Sequence, residues 1–199
     1  GMEIIMEHLA NALTDKLIDW KIINSEDRDL YAYGFWQGGI YIFNYASVFL
    51  IGLLFGMLWQ SVVFILSYGL IRPVAGGYHA RTQRNCYLFS VLLIVIVLSM
   101  LKWFPLSSIV CILVLLFSGS VIFILAPVED ENKPLDETEQ MVYRHRSRIV
   151  LSVLSALTLL FLVTGLVPIA NNITLSLLVS AIMLILGIIK NKRGRKTEY

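Results

Sequence analysis

Long apolar runs dominate this sequence and restrict the folds that it can adopt. Four of them cover residues 87–103, 106–126, 149–167 and 171–189, and Lys102 is the only charged residue within them. A helix of about 20 apolar residues is long enough to cross the hydrocarbon core of a bilayer. The chain is 57% hydrophobic and only 15% charged, which is typical of integral membrane proteins. The sequence therefore predicts an all-α, polytopic membrane protein.

A fifth apolar run, 40–71, is too long for a single span. At about 1.5 Å per residue it would form a helix of roughly 48 Å, whereas the hydrocarbon core is roughly 30 Å thick. We predict a tight hairpin of two shorter spans, 40–55 and 57–71, that turns near Gly56. The predicted number of transmembrane helices is then six.

The distribution of charge supports six spans with both termini in the cytoplasm, because Lys and Arg near spans tend to remain cytoplasmic. In this topology only Lys102 of the 16 Lys and Arg residues falls outside, and all 14 Asp and Glu residues fall inside. The predicted parts are a cytoplasmic N-terminal segment 1–39, a membrane domain 40–189, a first cytoplasmic loop 72–86, a second cytoplasmic loop 127–148 and a basic tail 190–199. Any chemistry in water is therefore expected on the cytoplasmic face.

The N-terminal segment has apolar residues at helical spacing. They are Met2, Ile5, Met6, Leu9, Leu13, Leu17 and Trp20. This pattern predicts an amphipathic helix, either lying in the membrane interface or packing against the cytoplasmic ends of the bundle. Acidic residues come first and no early apolar run of the signal-peptide type follows, so we do not expect secretion.

The first loop, RPVAGGYHARTQRNC, combines a histidine with a cysteine. If Cys86 opens the next helix, the helix dipole and the nearby Arg81 and Arg84 favour its thiolate form. His79 could then exchange the thiol proton, provided that the chain between the two residues bends. The alternative is that Cys86 is buried and inert and that His79 is an interfacial side chain.

A Gly-Gly pair precedes the histidine. Gly76 and Gly77 permit a turn or a close backbone approach, and their N–H groups could donate to an oxyanion. No paired metal-ligand spacing, H-E-x-x-H or G-x-S-x-G motif is present, and no carboxylate lies within a predicted span. We therefore expect no metal, no cofactor and no nucleic-acid partner, and an ion-coupled transporter is disfavoured.

The second loop divides by charge into an acidic half, 129–139, and a basic half that contains Arg144 and Arg146. The basic half could simply anchor the topology at the membrane edge. It could also bind an acidic peptide.

The two loops together resemble those of the accessory gene regulator protein B (AgrB) family of bacterial membrane peptidases. The motifs that carry this resemblance are Arg72-Pro73, Gly76-Gly77-Tyr78-His79-Ala80, Cys86, Ala126-Pro127-Val128 and Asn132-Lys133-Pro134-Leu135. The order and spacing of these motifs, the six spans and the amphipathic start extend the resemblance over nearly the whole chain.

The resemblance implies a cysteine endopeptidase of quorum sensing in the bacterial cell membrane. Its partner would be an AgrD-like propeptide, from which Cys86 would release the C-terminal tail through an acyl-enzyme thioester. His79 would be the general acid and base, and a cysteine or serine of the propeptide would close a thiolactone or lactone ring. The resemblance also suggests a homodimer.

Other residues match the family without a defined role. Arg72, Gly76 and Gly77 could position the substrate, and Lys133 and Pro134 could bind it. Gln83 and Asn85 are the residues close enough in sequence to orient His79. The alternative function is a non-catalytic membrane exporter or scaffold for a small peptide, in which the first loop only binds the propeptide.

Overall fold

Helices form almost all of the protein. A computed structural model describes residues 2–78, 82–129 and 135–194. Within those residues the helices are α1 (Met2–Asp19), a short 3-10 helix (Ser25–Asp27), α2 (Arg28–Phe55), α3 (Leu58–Ala75), α4 (Gln83–Trp103), α5 (Ser108–Leu125), α6 (Glu137–Val163) and α7 (Val167–Gly194). In this described part of the chain, six helical segments are long and apolar enough to cross a membrane. The predicted fold class is confirmed.

The chain turns at Gly56, between α2 and α3, which is where the sequence predicted a turn. Gly56 has φ +66°, a left-handed conformation that glycine adopts without a steric penalty. The N–H of Met57 donates to the carbonyl of Gly52 at 2.8 Å, which closes the turn. A Cβ atom at Gly52 would overlap the side chain of Ser61, so a glycine fits best beside this turn.

Lys102 is the one basic residue that the predicted topology does not assign to the cytoplasm. It lies beside the C-terminal end of α2. Its Nζ donates to the carbonyl of Phe55 at 3.1 Å and lies 5.9 Å from the centroid of the Phe55 ring. The last carbonyls of a helix have no partner within the helix and carry partial negative charge, which a nearby cation stabilises. The position of Lys102 therefore has a local structural cause.

Residues 1–50 form one of two units in the chain, and residues 51–199 form the other. In the first unit, the guanidinium of Arg28 makes two bonds to the carboxylate of Asp15, at 2.8 and 3.1 Å, and so links α1 to the start of α2. Ile5, Leu9 and Leu13 are exposed at four-residue spacing on α1. This exposed apolar stripe fits the predicted amphipathic helix.

α7 is the central helix of the second unit. It packs against α3, α5 and α6. In its most apolar 18-residue stretch, 61% of the residues are buried, compared with 28% or less in the other candidate spans. The core around it consists of apolar side chains from several helices: Ile71, Ala75, Leu115, Ile122, Leu151, Leu154, Ile173, Leu177, Ala181 and Leu184. Because α7 contacts most of the bundle, it can couple the position of one loop to that of another.

Several helices begin before the predicted spans. α2 begins at Arg28 rather than at residue 40, because residues 30–39 contain no proline to stop it. α6 begins at Glu137 rather than at residue 149. Asp136 caps it, accepting from the N–H of Glu139 at 2.7 Å, while the carboxylate of Glu139 accepts from the N–H of Asp136. Part of the predicted second loop is therefore helical.

Replacement of Leu177 by alanine should destabilise the protein by roughly 2–4 kcal/mol, because the cavity left in the centre of the bundle loses its packing contacts. Leu177 is fully buried, whereas Leu116 on α5 is 61% exposed. Thermal unfolding of the purified protein in detergent measures the difference, with Leu116→Ala as the matched control. Equal melting temperatures for the two variants would contradict the central position of α7.

Candidate active site

The segments that follow α3 and α5 lie side by side. Gly76 and Val128 form a parallel β-bridge. The N–H of Gly77 donates to the carbonyl of Val128 at 3.0 Å, and the N–H of Val128 donates to the carbonyl of Ala75 at 2.9 Å. The Gly-Gly motif and the Ala-Pro-Val motif, far apart in sequence, are thus joined through their backbones.

Both glycines of the pair are required for this contact. Gly76 and Gly77 have φ +73° and +111°, a region that other residues rarely adopt. A Cβ atom would lie 2.1 Å from the carbonyl oxygen of Val128 at Gly76, and 2.7 Å from that of Met183 at Gly77. The sequence predicted a close backbone approach here, and the structure shows which backbones approach.

α7 is the third partner of this loop. The N–H of Tyr78 donates to the carbonyl of Met183 at 2.9 Å. A Cβ atom at Gly187 would lie 2.8 Å from the N atom of Tyr78. The ring of Tyr78 lies 6.0 Å from that of Phe89 and 5.8 Å from Lys190 Nζ, measured to ring centroids. Sequence reasoning missed Gly187, because a glycine in an apolar span is usually a helix-packing residue.

The side chain of Arg72 also holds this loop, through hydrogen bonds. Its guanidinium donates to the carbonyls of Gly76 and Tyr78. The forked, planar guanidinium can bond two carbonyls at once. Tyr68, one turn earlier on α3, is close enough to Arg72 to interact with its guanidinium. Sequence reasoning missed Tyr68, because none of the recognised motifs contains it.

Cys86 lies in the first turn of α4 and is partly exposed. Thr82 caps this helix, since its Oγ1 accepts from the N–H of Asn85 at 3.3 Å and its carbonyl accepts from the N–H of Cys86 at 3.0 Å. The hydroxyl of Ser90 donates to the carbonyl of Cys86 at 3.0 Å. The thiol is therefore held at the positive end of a helix dipole.

The second cysteine has a different environment. Cys111 is fully buried in α5, and its Sγ is 3.0 Å from Thr174 Oγ1 on α7. It packs within the bundle as a small side chain.

In the second loop, the residues on either side of segment 130–134 are held by hydrogen bonds. Asn191 Nδ2 on α7 donates to the carbonyl of Glu129 at 2.9 Å. The carboxylate of Glu129 accepts from the N–H of Leu135 at 3.2 Å. α7 therefore contacts both loops near its C-terminal end.

The remaining predicted site residues fall into two groups. Arg144, Arg146 and Asn85 are exposed. His79, Lys133 and Pro134 lie outside the described residues, and of Gln83 only the backbone, in the first turn of α4, is described. Among residues 2–78, 82–129 and 135–194, no group of three or more His, Cys, Asp and Glu residues could hold a metal ion.

These features define a multi-pass helical membrane protein whose partly exposed thiol opens a helix beside two joined loops. The family model of accessory gene regulator B matches residues 10–186, and the chain belongs to this family. The resemblance seen in the sequence is confirmed.

Three curated relatives illustrate this membership. An AgrB-like protein of Clostridium perfringens strain 13 is 30% identical over 142 residues, which cover 69% of this chain and 73% of the relative. FsrB of Enterococcus faecalis is 28% identical over 162 residues, covering 71% of this chain and 64% of FsrB. An AgrB-like protein of C. perfringens strain SM101 is 24% identical over 138 residues, covering 66% of this chain and 64% of that relative. This chain therefore spans less than two thirds of the length of two of these proteins. No solved structure matches it.

Replacement of Gly77 by alanine should cost more stability than the same change at Gly165. Both residues have positive φ, +111° and +79°, so each variant incurs about 1–2 kcal/mol of backbone strain. Gly165 has open space around it, whereas Gly77 faces the carbonyl of Met183, and this clash should add roughly 1–3 kcal/mol. Thermal unfolding compares the two, and equal losses would argue against the contact with α7.

Arg72→Lys should also weaken the loop, because one ammonium cannot reproduce both bonds of the guanidinium fork. We expect a loss of about 1–3 kcal/mol, measured by thermal unfolding. Arg84→Lys, at an exposed position on α4, is the matched control and should leave stability unchanged. If the two variants behave alike, the bonds from Arg72 do not hold the loop.

Proposed function

We propose that this protein is a membrane cysteine endopeptidase of quorum sensing that cleaves an AgrD-like propeptide. The observation that carries the proposal is the setting of Cys86: a partly exposed thiol in the capped first turn of α4, in a chain that belongs to the accessory gene regulator B family. A helix N-terminus favours thiolate over thiol, and the thiolate is the nucleophilic form.

In the first step, His79 takes the proton of the Cys86 thiol, and Sγ attacks the carbonyl carbon of the peptide bond that precedes the tail. The C–S bond forms, the carbonyl π electrons move to oxygen, and a tetrahedral oxyanion results. When this intermediate collapses, the C–N bond breaks, and His79 supplies the proton that the departing amine requires. The tail leaves, and the signal segment stays on Cys86 as a thioester.

In the second step, a cysteine or serine of the propeptide attacks the thioester. Its proton passes to His79, the C–S bond to Cys86 breaks, and a thiolactone or lactone ring is released. Water must be kept from the thioester long enough for the ring to close. The position of Cys86 at the start of an apolar helix supports this, because the bilayer limits water on one side.

The hydrogen bonds of the loop favour a positioning role for Gly76 and Gly77 over an oxyanion role. The N–H of Gly76 donates to the carbonyl of Arg72 at 3.1 Å, and that of Gly77 donates to Val128. The first N–H groups of a helix have no intrahelical acceptor. Those of Gln83 and Arg84, in the same turn as Cys86, are therefore better placed in sequence to stabilise the oxyanion.

A basic surface on α6 would bind the acidic tail of the substrate. Arg144 and Arg146 are exposed, whereas the guanidinium of Arg148 lies 4.2 Å from the centroid of the Phe123 ring and is used within the protein. Exposed cations attract an acidic peptide over distances of about a Debye length. Lys133 and Pro134 would bind the substrate nearby, and the whole site would face the cytoplasm together with both termini.

Loss of the thiol at Cys86 should abolish cleavage. The protein is reconstituted in liposomes with a candidate propeptide, and intact mass spectrometry follows the released tail and any acyl-enzyme. Cys86→Ala should lower the cleavage rate by at least about a thousandfold, and His79→Ala should have a comparable effect. Cys111→Ala, which removes the buried thiol, is the matched control and should cleave normally.

Continued cleavage by the Cys86→Ala protein would disprove the proposal. If wild-type and variant proteins both bind the propeptide and leave it intact, the exporter or scaffold function becomes the better explanation.

A further inference from the structure

The C-terminal part of α7 presents one face to both loops. Met183, Gly187, Lys190 and Asn191, which we call the α7 ledge, are spaced by four, three and one residues and so lie on one side of the helix. Met183 and Gly187 contact the first loop through the backbone, Lys190 lies over the ring of Tyr78, and Asn191 bonds the second loop. The ledge is a docking surface for the segment that leads into His79.

Gly187 is the residue on which this docking depends. A Cβ atom there would lie 2.8 Å from the N atom of Tyr78, 2.9 Å from the carbonyl carbon of Gly77 and 3.0 Å from its Cα. All three are backbone atoms, so no side-chain rotation could relieve the overlap. Gly69 has nothing within 4 Å of the same position, and Gly119 has one ordinary contact. These two glycines are natural controls.

Gly187 is required because there is no room for a side chain, and not because of its backbone conformation. No positive φ is found at Gly187, unlike Gly76 and Gly77, and it lies within α7. A glycine inside a helix costs about 1 kcal/mol relative to alanine. The residue lies one position beyond the part of the chain that the family model matches. Its cost to α7 is offset by the close approach of the loop.

The docked loop controls the peptide unit next to the predicted general base. The N–H of Tyr78 is bonded to Met183, and its carbonyl accepts from Arg72. That carbonyl belongs to the peptide bond between Tyr78 and His79, and a peptide unit is planar. Fixing both polar groups of Tyr78 therefore fixes the direction in which the chain enters residue 79.

We propose that Gly187 is a positioning residue: it lets the first loop dock on the α7 ledge and thereby fixes the peptide unit that leads into the predicted general base, His79. The catalytic part of this inference rests on the proposed function. The docking itself does not, and it can be measured without any substrate.

The first measurement is hydrogen–deuterium exchange at the amides of Gly77 and Tyr78 in Gly187→Ala. We expect exchange at least about tenfold faster than in wild type, because the added methyl group displaces the loop and opens its two bonds. Gly69→Ala and Gly119→Ala should exchange like wild type. Lys190→Gln, which adds no bulk, removes the cation from the Tyr78 ring and should accelerate exchange about threefold, so docking remains testable if Gly187→Ala fails to fold.

The second measurement separates positioning from general damage. Gly187→Ala should lower kcat for propeptide cleavage by about 100-fold, since a misplaced catalytic group is costly, and leave KM nearly unchanged. In the His79→Ala background the same substitution should cause no further loss, because both changes then remove the same function.

The outcomes distinguish the two proposals. Wild-type exchange in both Gly187→Ala and Lys190→Gln overturns the docking inference, and an additive loss in the double variant overturns the link to His79. If wild type fails to cleave while exchange still depends on Gly187, the peptidase proposal and the catalytic part of this inference fail together, and the docking of the loop is retained.

Discussion

Backbone-to-backbone hydrogen bonding around Gly76, Gly77 and Tyr78 is the interaction on which the candidate site depends. Three segments meet there without an intervening side chain: the end of α3, the end of α5 and the last turns of α7. Near a membrane, an unpaired N–H or carbonyl is costly because little water is present to bond it. The loop pairs its N–H and carbonyl groups with those of neighbouring segments. The positions of those segments therefore determine its conformation.

α7 connects that local geometry to the rest of the bundle. The helix is buried along most of its length, yet it carries Thr174, Ser176 and Ser180 in its interior. Their hydroxyls bond mostly within the helix or to a neighbour: Ser176 to Ile173, Ser180 to Ser176, and Thr174 to Cys111. Small side chains with satisfied hydroxyls let helices approach closely in a membrane. A closely packed α7 is a firm support for the loops at its end.

The sequence predicted much of this architecture because the bilayer imposes simple rules. Run lengths and charge predicted six spans, and six helices in the described part of the chain are long and apolar enough to cross a membrane, with a turn at the left-handed Gly56 between α2 and α3. Helix ends were less predictable. The capping box at Asp136 extends α6 beyond its apolar run, and hydropathy does not register such local hydrogen bonding.

The site was predictable only in part, for a related reason. Its motifs indicated the thiol, the Gly-Gly pair and Arg72, since each has a recognisable chemistry. Tyr68 and Gly187 belong to the site only because of the residues that they contact in the fold. A single sequence does not reveal such contacts. The partner of Gly77, the carbonyl of Met183, belongs to a helix more than one hundred residues later in the chain.

The contrast between the two cysteines gives the unaltered protein a built-in chemical handle. Cys86 is partly exposed, and Cys111 is sealed in the bundle against Thr174. A thiol-directed fluorophore or electrophile would therefore mark the site itself, with no need to delete a competing cysteine. The same difference in exposure makes Cys86 the thiol that added peroxide should reach first.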